Sequence, residues 1–273
     1  MFPESGTLNN YGITIQLSLD GFSFVIYDIN NHIFTDAERV STPMPSLREA
    51  ITEIQEKHIC DIADFAKLTV LFDNCANTFV PASVFQNQAK GRYLDFLGIG
   101  GEGRTPVSDF VGTIEANNVF AISSEDAKTL TDIQTDTRFH HITSVLVSSV
   151  VKDNIHKSGE PVIHLNVKSP KFDMIVIKGS SLLFHNTFSF KTKEDFLYFL
   201  LFSIDQLHID AGTVPVYFSG MIEEKSQLVE LASRYIRDIR FVRRDNSMAF
   251  TEEVEETPYY YNYTLFNSTT CEL

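Results

Sequence analysis

Apolar and polar positions alternate with period two near the start of the chain. Ile13, Ile15, Leu17 and Leu19 stand against Thr14, Gln16 and Ser18. Successive side chains of an extended chain point to opposite faces, so this is a strand with one apolar face. Asp20-Gly21 interrupts the run, and Phe22, Phe24 and Ile26 resume it. Gly tolerates positive φ and Asp bonds its own turn, so the pair predicts a hairpin. His32 to Val40 fits a third strand after Asn30-Asn31. The chain therefore opens on three antiparallel strands.

The period then changes. Ser46 followed by Glu49 predicts a capping box, with Leu47, Ala50, Ile51 and Ile54 as the apolar stripe of a helix. Leu68 to Phe72 is short and nearly all apolar, as in a strand buried on both faces. Phe79-Val80-Pro81 leads into an expected helix to Lys90, stopped by Gly91. Gly98 to Pro106 is expected as loop, and Phe110–Glu115 and Asn118–Ser123 as strands. Ser123 and Asp126 predict a helix start, and Thr137 to Val151 reads as a short strand followed by a helix from about Ile142.

Lys152 to Pro161 is polar and predicts the boundary between two domains, residues 1–157 and 158–273. The order of elements then restarts. Val162–Val167, Phe172–Ile177 and Leu182–Phe190 are three strand patterns joined by turns at Lys168-Ser169-Pro170-Lys171 and Gly179-Ser180. Thr192 and Asp195 cap a helix, and Val214–Phe218 is a second short apolar strand. The expected remainder is a helix over Glu223–Ile239, a strand from Phe241 and another over Thr257–Phe266. The Ser46 cap follows the Asp20 turn about as far as the Thr192 cap follows the Ser169 turn, which suggests an internal duplication of layout. Phe196 to Phe202 is apolar all round, so this helix is expected to be buried on every side, between the two halves.

Composition narrows the class. With 43% hydrophobic residues and 23 Phe, the 273-residue chain has ample material for buried cores. A net charge of −14 argues against a nucleic-acid partner, since phosphate contacts need clustered Lys and Arg. The cluster Arg234, Arg237, Arg240, Arg243 and Arg244 reads as helix-end and strand-surface charge. No apolar run approaches the roughly 20 residues of a membrane span, and the first residues lack a signal-peptide pattern. Cys60, Cys75 and Cys271 have no disulfide or metal-site spacing, so the expectation is a cytoplasmic protein with no membrane partner and no metal site.

Four stretches carry a resemblance: IQLSLDGFSFVIYD from Ile15, LLFHNTFSFKTKEDFLYFLLF from Leu182, PVYFSGMI from Pro215 and YIRDIRFVRR from Tyr235. The chain resembles an uncharacterised bacterial family, domain of unknown function family 3822, with the actin-like ATPase fold. That fold is α/β, a duplicated ribonuclease-H-like unit giving two lobes, each a mixed sheet flanked by helices. The superfamily includes actin, heat-shock chaperones, sugar kinases and bacterial pilus-assembly and division proteins.

The resemblance implies ATP with Mg²⁺ as the candidate ligand. Superfamily members clamp phosphates with an Asp-x-Gly-type turn in each half and support adenosine with a glycine turn. Here these positions are Asp20, Gly21 and Ser23; Lys168, Ser169 and Lys171; and Ser219 and Gly220. The first turn is only partly kept, the second lacks both Asp and Gly, and Pro170 removes an N–H donor. The residues thus commit to no cofactor and no catalytic group, and the expectation is a vestigial, non-catalytic scaffold with a protein partner. Two alternatives stay open: a true ATP-binding protein with atypical loops, and a sugar-kinase-like phosphotransferase with Asp73 as base. Gly98-Ile-Gly-Gly-Glu-Gly follows no predicted strand, and His140-His141 are adjacent and so diverge; neither is expected to form a site.

Overall fold

The computed structural model describes residues 8–133, 136–154, 159–244, 248–269 and 271. The domain boundary expected at 157/158 lies outside them. The chain divides into two compact units, Met1–Ser148 with Asn246–Glu256 and Thr264–Leu273, and Ser149–Asp245 with Thr257–Tyr263.

The first unit is built on the predicted hairpin. Strands β1 (Tyr11–Ser18), β2 (Gly21–Asp28) and β3 (Ile33–Val40) form an antiparallel meander, with Ile15 opposite Phe24. Helix α1 (Leu47–His58) leads to β4 (Lys67–Phe72), which lies parallel to β1 with Ile15 beside Val70. Strands β5 (Asn77–Pro81), β6 (Arg104–Val111) and β7 (Ala116–Ser123) make a separate sheet in the order β5-β7-β6, with α2 (Lys90–Phe96) between β5 and β6. After α3 (Ser124–Asp132), β8 (Asp136–His141) joins the main sheet parallel to β4, and α4 (Ile142–Asn154) follows. Leu47, Ala50 and Ile54 bury one stripe of α1 in the same core as Ile15, Phe24 and Val70.

The predicted capping box is formed. The Ser46 hydroxyl accepts from the Glu49 N–H at 3.3 Å, and the Glu49 carboxylate accepts from the Ser46 N–H at 2.8 Å. Ser46→Ala is expected to cost about 1 kcal/mol, read as a lowered urea midpoint at constant m-value.

The second unit repeats the strand order. Strands β9 (Pro161–Lys168), β10 (Lys171–Lys178) and β11 (Ser181–Ser189) form a meander. After α5 (Lys193–Gln206), β12 (Pro215–Gly220) lies parallel to β9, with Phe218 beside Leu165. After α6 (Gln227–Ala232), β13 (Asp238–Phe241) lies parallel to β12. Both sheets therefore run third, second, first, fourth and fifth strand, and β14 (Ala249–Phe250) extends the first sheet beyond β3. Short helices α7 (Glu252–Glu255) and α8 (Tyr263–Asn267) end the chain.

Several expectations are corrected. The helix expected over Pro81–Lys90 is the end of edge strand β5 and two 3-10 turns; α2 begins at Lys90 and runs through Gly91. Proline is tolerated there because an edge strand leaves N–H positions outside the ladder. Arg104–Pro106, expected as loop, already belongs to β6, and the strand expected over Phe110–Glu115 ends at Val111. The helix expected over Glu223–Ile239 stops at Ala232. The N–H groups of Arg234 and Tyr235 reach back three residues, to the Leu231 and Ala232 carbonyls, and Ile239, in β13, instead pairs with Val216 of β12. The strand expected over Thr257–Phe266 is instead a 3-10 turn at Tyr259–Asn262 followed by α8. Its alternation serves aromatic packing at helical spacing: Tyr263 meets His164, and Phe266 meets Phe34 and Phe250.

The largest correction concerns burial. Helix α5 buries Phe196, Leu200, Ser203 and Ile204, yet Tyr198 is 61% and Phe202 49% exposed. The helix without an exposed residue over Ile142–Val151 is α4. Its Thr143, Ser144, Ser148 and Ser149 are buried along with its apolar residues.

Candidate functional site

In open sheets with parallel neighbours, ligands approach the carboxyl ends of the strands. In the first unit that edge is formed by β1, β4 and β8. The Asp20 carboxylate there is 2.6 Å from Arg39 Nη2 on an exposed hairpin. Gly21 has φ +149°, and a Cβ would lie 2.0 Å from the Val40 carbonyl oxygen. Close passage of the chain after β3 thus explains this glycine. Ser23 is buried within β2, opposite Gln16 and Arg39.

Asp73, just past β4, accepts from Gln16 Nε2 at 3.3 Å, and its N–H donates to the Leu17 carbonyl at 2.8 Å. Gln16 Nε2 also reaches Ser18 Oγ at 3.2 Å. These three residues form a polar group across the ends of β1 and β4. Sequence reasoning found Asp73 but missed Gln16 and Ser18, which looked like the ordinary polar face of an alternating strand.

A second polar group surrounds the start of α4. Buried Asp109 accepts from the His141 N–H at 2.8 Å and the Ser144 hydroxyl at 2.6 Å, and its other oxygen is 3.1 Å from His140 Nδ1. The His141 ring accepts from the Thr143 N–H at 3.1 Å, which leaves Nε2 to donate to the Cys75 carbonyl at 3.0 Å. The two histidines thus face different partners. Asp109 thus places a carboxylate on the N–H of His141, just before the first residue of α4, from a strand 31 residues or more away in sequence. Beside it, burial and then the Asp73 charge push the Cys75 thiol up to about 12, so it stays protonated. Cys60 and Cys75 are free thiols.

In the second unit the equivalent edge is formed by β9, β12 and β13. The Lys168 ammonium is 3.0 Å from the Asp173 carboxylate, which is buried. Asp173 also accepts from Thr187 Oγ1 at 2.7 Å and Asn166 Nδ2 at 3.3 Å. Burial alone would raise this carboxyl. The Lys168 and His185 charges and the hydrogen bonds from Thr187 and Lys168 outweigh that and hold it at about 2. Burial lowers the His185 imidazole, against the opposing pull of Asp173. Ser169 and Lys171 flank the turn, with Lys171 exposed on β10.

Ser219 is fully buried. Its hydroxyl donates to Asn166 Oδ1 at 3.1 Å and accepts from His164 Nε2 at 2.8 Å. Gly220 has φ +86°, and a Cβ would lie 2.3 Å from the Val167 carbonyl oxygen. The structure therefore brings Lys168, Ser219 and Gly220 to the ends of neighbouring strands, while Asp20, Gly21 and Ser23 belong to the first unit. Asp20, Lys168 and Ser219 each meet side chains within their own unit. Among the described residues, no three His, Cys, Asp or Glu side chains are grouped to hold a metal ion. Arg240 binds Asp238 through two nitrogens and lies over the Tyr217 ring, as expected for strand-surface charge.

A family model described as "Protein of unknown function (DUF3822)" matches residues 4–239. The chain belongs to this family. No curated protein matches its sequence. Among solved structures, a Bacteroides thetaiotaomicron protein with actin-like ATPase fold and unknown function superposes with a TM-score of 0.81, at 16% identity and 100% coverage of both chains. A chain of the PilM–PilN type IV pilus biogenesis complex superposes with a TM-score of 0.61, at 9% identity, covering 96% of this chain and 99% of that one. The family member described here thus has the actin-like ATPase fold, and no helix among its described residues is long and apolar enough to cross a membrane.

Proposed function

We propose that this protein is a non-catalytic member of the actin-like ATPase fold that acts as a scaffold for a protein partner. One observation carries the reading. The lysine placed where the second phosphate turn would act, Lys168, is committed to buried Asp173 at 3.0 Å. A phosphate would have to compete with a carboxylate already desolvated and hydrogen-bonded. Asp20 on Arg39, and Ser219 between Asn166 and His164, support the same view. On this reading Asp20, Gly21, Ser23, Lys168, Ser169, Lys171, Ser219 and Gly220 are remnants of a nucleotide site, in two lobes at 1–157 and 158–273 that arose by duplication. A structural neighbour taken from a protein–protein complex, PilM–PilN, favours a protein partner, and the charge of −14 disfavours nucleic acid.

Calorimetry with Mg-ATP on the full chain tests this. The expected result is no submillimolar binding and no ATP hydrolysis above buffer. Submillimolar binding that disappears in Asp20→Ala would overturn the proposal and favour a working, atypical nucleotide site. Phosphate transfer to a sugar, abolished by Asp73→Asn, would favour the kinase reading.

A further inference from the structure

We infer that the outer edge of β11 receives an extended polypeptide segment with acidic ends, which adds to the sheet as a further strand. Among the described residues, β10 is the only strand paired with β11. Its outer backbone groups are therefore available for a ladder, save the Thr187 N–H, which donates to Asn186 Oδ1 at 3.0 Å and which an added strand would have to take over. Protein edges of this kind are usually blunted by charge or proline, and the opposite edge, β13, carries Asp238 and Arg240. Ser181 to Ser189 holds no Asp, Glu, Lys, Arg or Pro. Its one irregularity is a bulge at Leu183, near one end.

An aromatic shelf stands beside this edge. Phe188 of β11 stacks on Phe199 of α5 at 5.0 Å, Phe199 meets Tyr198 at 5.5 Å, and Tyr198 stacks on Phe202 at 5.7 Å. The series starts in the core, at Phe172 against Phe188, and ends on exposed rings. With exposed Leu183 it offers apolar surface to alternate side chains of an added strand.

Charge selects the occupant. Exposed Lys178 pairs with Ser181 at one end of β11, and exposed Lys171 pairs with Ser189 at the other, followed by exposed Lys191. The carboxylates nearest these lysines in sequence are Asp173, which is buried and held by Lys168 and Thr187, and Glu194 and Asp195, of which Asp195 is engaged by the N–H groups of Lys191 and Thr192. A patch with lysine at both ends stands out in a chain of net charge −14. Antiparallel pairing with a second copy would set Lys178 of one chain towards Lys191 of the other at both ends, which like-charge repulsion opposes. A segment with Asp or Glu at its ends meets complementary charge.

The inference deepens the scaffold reading and rests on it for the purpose of the contact; the Mg-ATP measurement above tests that reading separately. The probe is a dye-labelled peptide of alternating valine and threonine with two aspartates at each end, titrated into the full chain by fluorescence anisotropy. We expect saturable binding that is about ten-fold weaker when lysines replace the aspartates, and absent when proline interrupts the centre. Tyr198→Ser with Phe202→Ser, both exposed positions, is expected to weaken binding about ten-fold at unchanged melting temperature. Lys178→Glu with Lys191→Glu is expected to reverse the preference between the peptides. No binding, equal binding of acidic and basic peptides, or binding indifferent to both double variants would overturn the inference. So would sedimentation showing a dimer that the Tyr198/Phe202 variant dissociates, because the surface would then belong to a second copy.

Discussion

Gly220→Ala is expected to destabilise the second unit by about 3 kcal/mol or more, through strain at a special backbone position. Two effects combine at this residue. Its φ of +86° lies where side chains other than glycine are disfavoured, and an added Cβ would stand 2.3 Å from the Val167 carbonyl oxygen and 2.7 Å from Asn166 Oδ1. Neither neighbour can yield cheaply. Val167 is held in the β9–β12 ladder beside Gly220, and its carbonyl accepts from the Met221 N–H at 2.8 Å. Asn166 Oδ1 is the acceptor for the Ser219 hydroxyl. Urea unfolding followed by tryptophan-free near-UV signal and far-UV circular dichroism would measure the loss. A variant within about 0.5 kcal/mol of the wild type would show that the strand end relaxes and that the glycine serves some other purpose, such as the approach of a ligand.

Asp173→Asn is expected to cost about 3 kcal/mol at neutral pH, because it leaves the Lys168 ammonium beside a neutral, buried amide. The figure is set at the low end for a broken buried pair, since the Lys168 side chain keeps 21% of its surface in contact with water. The effect carries a pH signature. The native carboxyl is held at about 2, below the ordinary 3.8, so the folded state binds the proton less readily than the unfolded state. The stabilisation is therefore complete above pH ~4 and is lost as pH falls from there to ~2; by linkage it is on the order of 2 kcal/mol. Subtracting the variant's stability from the wild type's at each pH removes the contribution of the other carboxylates. The difference should be flat from pH ~5 to ~7 and shrink below pH ~4. A difference that stays constant down to pH ~2.5 would mean that Asp173 acts through shape and packing, with its charge irrelevant to folding.

Both predictions bear on the functional reading as well as on stability. If Gly220 and Asp173 are fixed by folding requirements, their chemistry is already used within the second unit. A nucleotide would then find the lysine neutralised and the serine hydroxyl occupied. On the proposed reading, internal partners stand where an external ligand would bind.

The sequence by itself determined the parts governed by local rules. The β1–β2 hairpin followed from alternation and Asp20-Gly21, and the α1 and α5 starts from reciprocal caps at Ser46/Glu49 and Thr192/Asp195. The switch from β8 to α4 at Ile142 was legible as well. Each depends on residues within a few positions of one another, where backbone geometry and hydrogen bonding act directly. The actin-like ATPase fold was legible through resemblance, and the repeated order of strand and helix patterns agreed with it.

Only the tertiary structure decided where distant neighbours compete. It ended α6 at Ala232, because Ile239 gains more as a ladder partner of Val216 than as one more turn of helix. It buried α4, whose Ser144 hydroxyl is satisfied by Asp109 from a distant strand, and left Tyr198 and Phe202 of α5 in water. It also paired Lys168 with Asp173 and placed Ser219 between Asn166 and His164. Hydrophobic periodicity records what a side chain is made of. Burial and charge pairing depend on what the rest of the chain brings against it, and that is settled only when the sheets assemble.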